Sequence, residues 1–335
     1  MSRILITGGA GFVGSHLTEA CLKAGHQVHV VVRAGSNDER LEHLGDRISR
    51  HRFDLCSEVD LKHCLRNAEP HVIYHLAANP RRPQHTSVED AKENVQEDLY
   101  NLITLLGAAA TTRSPPDYLI RAGSLAEYGL APIPYQEEAR EAPITVYSAG
   151  LVAATHYVAA LQPRLPFPVA TARLALVYGP SQSTDYLVPS LITRCLAGEN
   201  SLVRRPADRR DLIFVDEVVE ALQRMAAMPM SKPTLVNICS GVAPTMREVA
   251  QLVVEQTGAE AHLVQYGDGS PPSGAADLRG SPERARTLLG WQARIMLADG
   301  IRRTVRWYRD CAVHEGQSGM AATTVSPKHR GLGVT

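Results

Sequence analysis

The segment Thr7-Gly8-Gly9-Ala10-Gly11-Phe12-Val13-Gly14 constrains this chain more than any other. It joins a short apolar run, 3–7, to a stretch with helical spacing, 12–24, where Val13, Leu17 and Cys21 share one face before Gly25 stops it. Glycines at 8, 11 and 14 give the spacing GxxGxxG. Such glycines permit a tight turn, close approach of backbone to a pyrophosphate, and close packing of helix on strand. The helix N-terminus then presents unpaired N–H groups and the positive end of its dipole. A strand, a glycine turn and a helix in this order read as a dinucleotide-binding site.

The same alternation continues. Strand signals at 27–32, 48–52, 71–75, 117–121 and 168–173 are separated by helical signals that include 88–110 and 147–161. Parallel strands joined by helices form an α/β sheet covered on both faces. From about residue 178 the pattern loosens into loops, short strands and helices near 188–197, 216–228 and 246–256, which reads as a smaller C-terminal lobe. From His314 the chain is rich in Gly, Ser, Thr and Ala without periodicity, so 314–335 is expected to be a disordered tail.

Composition narrows the function classes. With 35 Lys plus Arg against 35 Asp plus Glu, the net charge is zero and there is no general attraction to nucleic acid or anionic lipid. No apolar run approaches the roughly 18 residues of a membrane span, and the first residues do not form a signal peptide. The cysteines (Cys21, Cys56, Cys64, Cys195, Cys239, Cys311) show no CxxC, and the histidines show no HExxH, so no metal site is expected. A cytoplasmic protein with reduced thiols follows.

The end of the second strand distinguishes the two nicotinamide dinucleotides. An NAD-binding chain usually carries an acidic residue there, which accepts hydrogen bonds from ribose hydroxyls. This strand ends Val32-Arg33-Ala34-Gly35-Ser36, without a carboxylate. Arg33 suits a 2′-phosphate, helped by Ser36 or Arg40, so NADP(H) is favoured and NAD(H) is the alternative.

Further motifs follow in order: Asp54-Leu55, His75-Leu76-Ala77-Ala78, Asn94-Val95, Gly123-Ser124-Leu125-Ala126-Glu127-Tyr128-Gly129, Tyr147-Ser148-Ala149, Val177-Tyr178-Gly179-Pro180, Arg210 through Asp216, and Leu289-Gly290-Trp291. Together with the glycine turn they resemble the extended short-chain dehydrogenase/reductase family of nucleotide-sugar epimerases, dehydratases and 4-ketoreductases. The resemblance implies a Rossmann-type doubly wound parallel sheet over 1–175 with a returning segment near 205–225. A smaller α/β lobe over 176–313 would bind substrate. It also implies roles. Gly8, Gly11, Phe12, Val13, Gly14, Leu76, Ala77, Ala78 and Asn94 would line the cofactor cleft, with Asp54 and Leu55 by the adenine. Ser124 and Tyr147 would face the reacting oxygen, Tyr147 also touching the cofactor. Arg210, with Tyr178 and Arg204, would stand on the substrate side. A homodimer through helices 88–110 and 147–161 is a further expectation.

The departures bear on mechanism. In the family, lysine stands four residues after the tyrosine, on the same helix face. Here that residue is Leu151. Without the cation, Tyr147 should stay neutral near its unperturbed value of about 10. A neutral phenol suits an acid that protonates a ketone oxygen better than a base that begins by oxidising an alcohol. Leu125 and Ala126 stand where the dehydratases carry Asp-Glu, and Leu176 where asparagine often meets the nucleotide diphosphate. Pro271 and Pro272 stand near where the family often has an arginine. Glu127 can bind a sugar hydroxyl or cap local backbone. Arg81-Arg82 and the group Arg204, Arg205 and Arg209 can clamp phosphate or form a solvated surface.

The reading is an NADPH-dependent ketoreductase of a nucleotide-linked deoxysugar, with Tyr147 as proton donor and Ser124 orienting the carbonyl. A nucleotide-sugar epimerase or non-standard dehydratase is the alternative, and a catalytically idle cofactor-binding protein is the reading from another class.

Overall fold

The computed structural model describes residues 1–78, 88–228, 234–269 and 275–322, with side chains through 311. Arg81, Arg82, Pro271 and Pro272 lie outside the described residues. The first half holds β1 (Arg3–Thr7), α1 (Phe12–Lys23), β2 (Gln27–Val32), β3 (Ser49–Arg52), α2 (Glu58–Ala68) and β4 (Val72–His75). Then come α3 (Glu89–Asn94), a π-helical turn over Val95–Tyr100, α4 (Asn101–Ala110), β5 (Tyr118–Ser124), α5 (Val146–Leu161) and β6 (Val169–Leu174). The second half holds β7 (Leu176–Tyr178), α6 (Leu187–Ala197), β8 (Ser201–Val203), β9 (Arg209–Arg210), β10 (Leu212–Phe214), α7 (Val215–Ala227) and β11 (Thr234–Ile238). It closes with α8 (Met246–Thr257), β12 (Val264–Tyr266), β13 (Asp277–Leu278), α9 (Glu283–Leu289) and α10 (Leu297–Ala322).

Seven parallel strands form the central sheet in the order β11-β6-β5-β4-β1-β2-β3. The inner strands are largely apolar because helices cover both faces, with all of β6 buried and all of β2 after Gln27, whereas the edge strand β3 (Ser-Arg-His-Arg) is partly exposed. One face packs on Leu17 and Cys21 of α1 and on Val218, Leu222 and Met225 of α7. The other packs on Leu61 and Leu65 of α2, Leu102 and Leu106 of α4, and Ala154 and Val158 of α5. A third core fills the C-terminal lobe between Ile192 of α6, Val253 of α8 and Ile301 of α10. Winding reverses between β1 and β4, so the crevice at their carboxyl ends is where a doubly wound sheet takes ligands.

The structure revises the sequence reading in three places. The segment returning to the sheet overlaps the expected 205–225 and runs beyond it. It is α7 and β11, together with Ala285, Leu289 and Trp291, whose side chains join the sheet core. The run at β11 is too short to signal itself without its partner β6. Over 314–322, expected as part of a disordered tail, α10 carries helix, and 323–335 lie outside the described residues. Strand β5 continues to Ser124 rather than ending at 121, because β6 pairs with it to that point.

Candidate active site

Two clefts meet over the glycine turn, both touching Gly8, Gly11 and Ala78. The first, about 710 Å3, is lined by Arg33, Ser36, Asp54, Leu55, Ala77 and Asp98 among others. The second, about 760 Å3, is lined by Phe12, Val13, Gly14, Leu76, Ser124, Tyr147 and Arg210 among others. The turn is shaped by missing side chains. Gly8 has φ +74°, and a Cβ there would lie 2.6 Å from the Ala77 nitrogen. A Cβ on Gly14 would lie 2.1 Å from the Gly8 carbonyl oxygen. Helix α1 is preceded by Gly11 at its N-cap, which offers no side-chain acceptor to the first-turn N–H groups. An elongated diphosphate therefore has backbone donors to meet and no Cβ to displace it. The residues present fit a dinucleotide.

At the far end of the first cleft, Arg33 Nε lies 3.4 Å from Ser36 Oγ, and Arg33 is exposed. Arg40 does not join them. Its Nε donates to the Ser181 carbonyl at 2.9 Å, and it lines the second cleft instead. Two loops distant in sequence meet there, which local reasoning could not foresee.

Ser124 ends β5 and caps the short turn that follows. Its Oγ accepts from the Ala126 N–H at 3.1 Å, while its own N–H donates to Glu127 Oε1 at 3.0 Å. Tyr147 sits in the first turn of α5, whose start is fixed by Thr145: the Thr145 hydroxyl accepts from the Ser148 N–H at 3.1 Å. The Tyr147 phenol is half-buried. Burial, then the charges of Asp98, Tyr186 and Glu127, push its pKa above the usual range, with Arg121 opposing. It is thus held more firmly neutral than the expected unperturbed value. Leu151 is buried and lines neither cleft.

Several expected site residues lie elsewhere. Glu127 is fully buried, its second carboxylate oxygen taken by Thr155 Oγ1 at 2.8 Å and Arg173 Nε at 2.9 Å, so it cannot reach a sugar. Tyr178 is buried against Phe214 in the C-terminal core, its hydroxyl over Gly300 where a Cβ would lie 2.0 Å away. Arg204 is exposed and lines neither cleft. Asn94 is buried where α3 meets α5, because Gly150 lets its side chain into the space a Cβ would take. It donates to Asp98 at 2.7 Å, and Asp98 lines the cleft in its stead. Arg210 does line the cleft, steadied by Asp208 at 2.8 Å. Arg205 pairs with the same carboxylate at 3.3 Å, and Arg209 Nη1 donates to the Ala243 carbonyl.

Sequence reasoning missed Asp98, Gln182, Tyr186 and Asp211 in the cleft walls. Asp211 accepts from Ser240 Oγ at 2.7 Å and from the Gly241 N–H at 2.9 Å. Burial still raises its carboxyl to about 6. No spacing marked these residues, since each reaches the cleft through a loop or a helix register set by packing. Among the described residues no cluster of His, Cys, Asp or Glu could hold a metal ion, and no helix is long and apolar enough to cross a membrane. None of the six cysteines is in a disulfide.

Residues 5–304 match the family described as GDP-mannose 4,6 dehydratase. The chain is 30% identical to the UDP-glucose 4-epimerase of Mycolicibacterium smegmatis, covering 92% of this chain and 99% of that one. It is 27% identical to the UDP-glucuronic acid decarboxylase 1 of Xenopus tropicalis, covering 94% and 74% respectively. Among solved structures, the UDP-glucose 4-epimerase of Thermus thermophilus in complex with NAD superposes with a TM-score of 0.81 at 26% identity, covering 92% of this chain and 99% of that one.

Proposed function

The chain belongs to the GDP-mannose 4,6-dehydratase family of extended short-chain dehydrogenases/reductases, and from that membership we propose that it performs nicotinamide-dependent chemistry on a nucleotide-linked sugar. The dinucleotide would lie across the glycine turn, held by the N–H groups at the start of α1, with Asp54 and Leu55 at its adenine end. When bound, the nicotinamide supplies or accepts hydride at the sugar carbon. Ser124 orients the sugar oxygen and Tyr147 exchanges its proton. Arg210 faces the phosphate of the substrate.

Within that chemistry the geometry favours reduction of a ketone. The observation that carries it is the setting of Tyr147: a phenol pushed up by burial and by Asp98, with leucine one helical turn on, stays protonated, so it has a proton to give and no tyrosinate to act as base. Arg33 and Ser36, in a cleft whose β2 end has no carboxylate, support NADP(H). The comparisons favour a second reading. An epimerase is 30% identical over nearly the whole chain, and the solved relative holds NAD, which supports a redox-neutral epimerisation or elimination.

One experiment separates them. A 4-keto sugar nucleotide and NADPH should give net loss of the reduced nicotinamide if the chain is a reductase. Conversion of UDP-glucose with no net change in nicotinamide would replace that reading by the second. Cofactor binding without turnover of either would leave the idle binding protein. Exposed Val95, Tyr100 and Tyr157 on the helices 88–110 and 147–161 support a homodimer. Cysteines outside any disulfide support a reducing, cytoplasmic setting.

A further inference from the structure

We propose that Glu127 and Arg121, joined through Thr155, are positioning residues that hold Ser124 in fixed register with the helix carrying Tyr147. The proposal rests on the reading of Ser124 and Tyr147 as the reacting pair. Arg121 and Ser124 lie on one strand, β5, and Tyr147, Leu151 and Thr155 follow at four-residue intervals on one face of α5. Arg121 crosses between the two elements. Its Nη2 donates to the Leu151 carbonyl at 2.9 Å and its Nη1 to Thr155 Oγ1 at 2.9 Å. Thr155 Oγ1 donates onward to Glu127 Oε2 at 2.8 Å, and Glu127 Oε1 accepts the Ser124 N–H at 3.0 Å. Two residues of strand, Ala122 and Gly123, close the circuit from Ser124 back to Arg121.

Two features argue that this circuit is a positioning device and not incidental packing. The first is its cost. Arg121 is 2% exposed and Glu127 0%, and apolar side chains of similar volume usually serve stability as well as buried ions do. Burial lowers the Arg121 pKa even so, with Glu127 opposing. The second is that neighbouring sequence makes room for it. A Cβ on Gly123 would lie 2.3 Å from Glu127 Oε1, so only glycine there lets the carboxylate fold back beneath the strand. Gly123 and Glu127 are thus spatial partners flanking Ser124. A helix and a strand packed through apolar contacts can slide by a fraction of an ångström, whereas charge-assisted bonds of fixed geometry limit such slippage. Reacting groups displaced by about 1 Å lose on the order of 100-fold in rate.

The test uses Thr155→Val, which removes the hydroxyl from both bonds and leaves every charge in place, and Thr155→Ser, which keeps it. Three quantities are read on the full chain: steady-state kcat and KM with a 4-keto sugar nucleotide and NADPH, the NADPH Kd, and hydrogen exchange at the Ser124 amide. The expected result for Thr155→Val is a kcat about 10- to 100-fold lower, with KM and Kd within about twofold and faster exchange at Ser124. Thr155→Ser should return kcat and exchange close to the parent. Unchanged kcat and exchange in Thr155→Val overturns the proposal, and so does a serine variant as impaired as the valine one. Thr155→Ala, a good helix former, gives the same reading if the valine variant does not fold. If the parent chain turns over no sugar nucleotide, the functional reading fails, and exchange at Ser124 alone decides the circuit.

Discussion

Replacing Arg173 by methionine tests how the floor of the site is held up. The guanidinium is wholly buried between two carboxylates, 2.9 Å from Glu127 and 2.5 Å from Glu141, and lies 4.3 Å from the centroid of the Tyr128 ring. Methionine has similar bulk, so little cavity forms, but Glu127 and Glu141 lose their counter-charge. Removing one partner of a buried pair costs about 3–5 kcal/mol, and the lost ring contact adds about 1 kcal/mol. For a chain of this size that is a fall in Tm of roughly 5–10 °C.

The pH dependence identifies the cause. Burial pushes the Glu141 carboxyl up, but the hydrogen bond and charge of Arg173 outweigh it, and the folded-state pKa ends below the ordinary value. Its contribution is therefore present above the unfolded pKa of about 4.3 and fades as pH falls through the lower folded value. In Arg173→Met the guanidinium's hydrogen bond and charge are gone, and only the backbone hydrogen bond and His156 oppose burial, so the Glu141 carboxyl moves up and the difference from the parent shrinks as pH falls. The Tm gap between parent and variant should narrow as pH falls from about 5 to about 3, across the unfolded pKa, in scanning calorimetry. A gap that is constant over this range would mean that lost packing, not orphaned charge, sets the effect, and would refute the reasoning.

The remaining predictions concern the clefts. Gly14→Ala forces a Cβ to within 2.1 Å of the Gly8 carbonyl oxygen, so the turn must open. Overpacking of this kind costs about 1–3 kcal/mol, and titration should show nicotinamide dinucleotide binding weakened by at least tenfold. Tyr147→Phe should lower kcat for keto-sugar reduction by about 100- to 10,000-fold while leaving the cofactor Kd unchanged; retained turnover would remove Tyr147 from the chemistry. Arg33→Asp should shift preference from NADP(H) towards NAD(H) by about 10- to 100-fold, read as the ratio of the two Kd values. An unaltered ratio would mean that Arg33 does not meet a 2′-phosphate.

The division between sequence and structure follows the range of the forces involved. Repeating β-branched runs, the glycines at 8, 11 and 14 and the polar caps act within a few residues, so the parallel sheet and the glycine turn were legible from spacing, whereas Ser124 and Tyr147 were marked only by the family resemblance. The destination of a polar side chain was not. Glu127 reads as a sugar ligand or a cap until Arg173, 46 residues away, and Thr155, 28 residues away, enclose it. Asn94 reads as a cofactor contact until Gly150 admits it between two helices and leaves Asp98 in the cleft. Arg121 carries no motif at all, and only the packing of β5 beneath α5 brings its charge under Leu151. Sequence settled which backbone could form, because local sterics and hydrophobic period suffice for that. Tertiary structure settled which charges face the ligand and which face each other, because burial and pairing depend on partners that sequence order does not reveal.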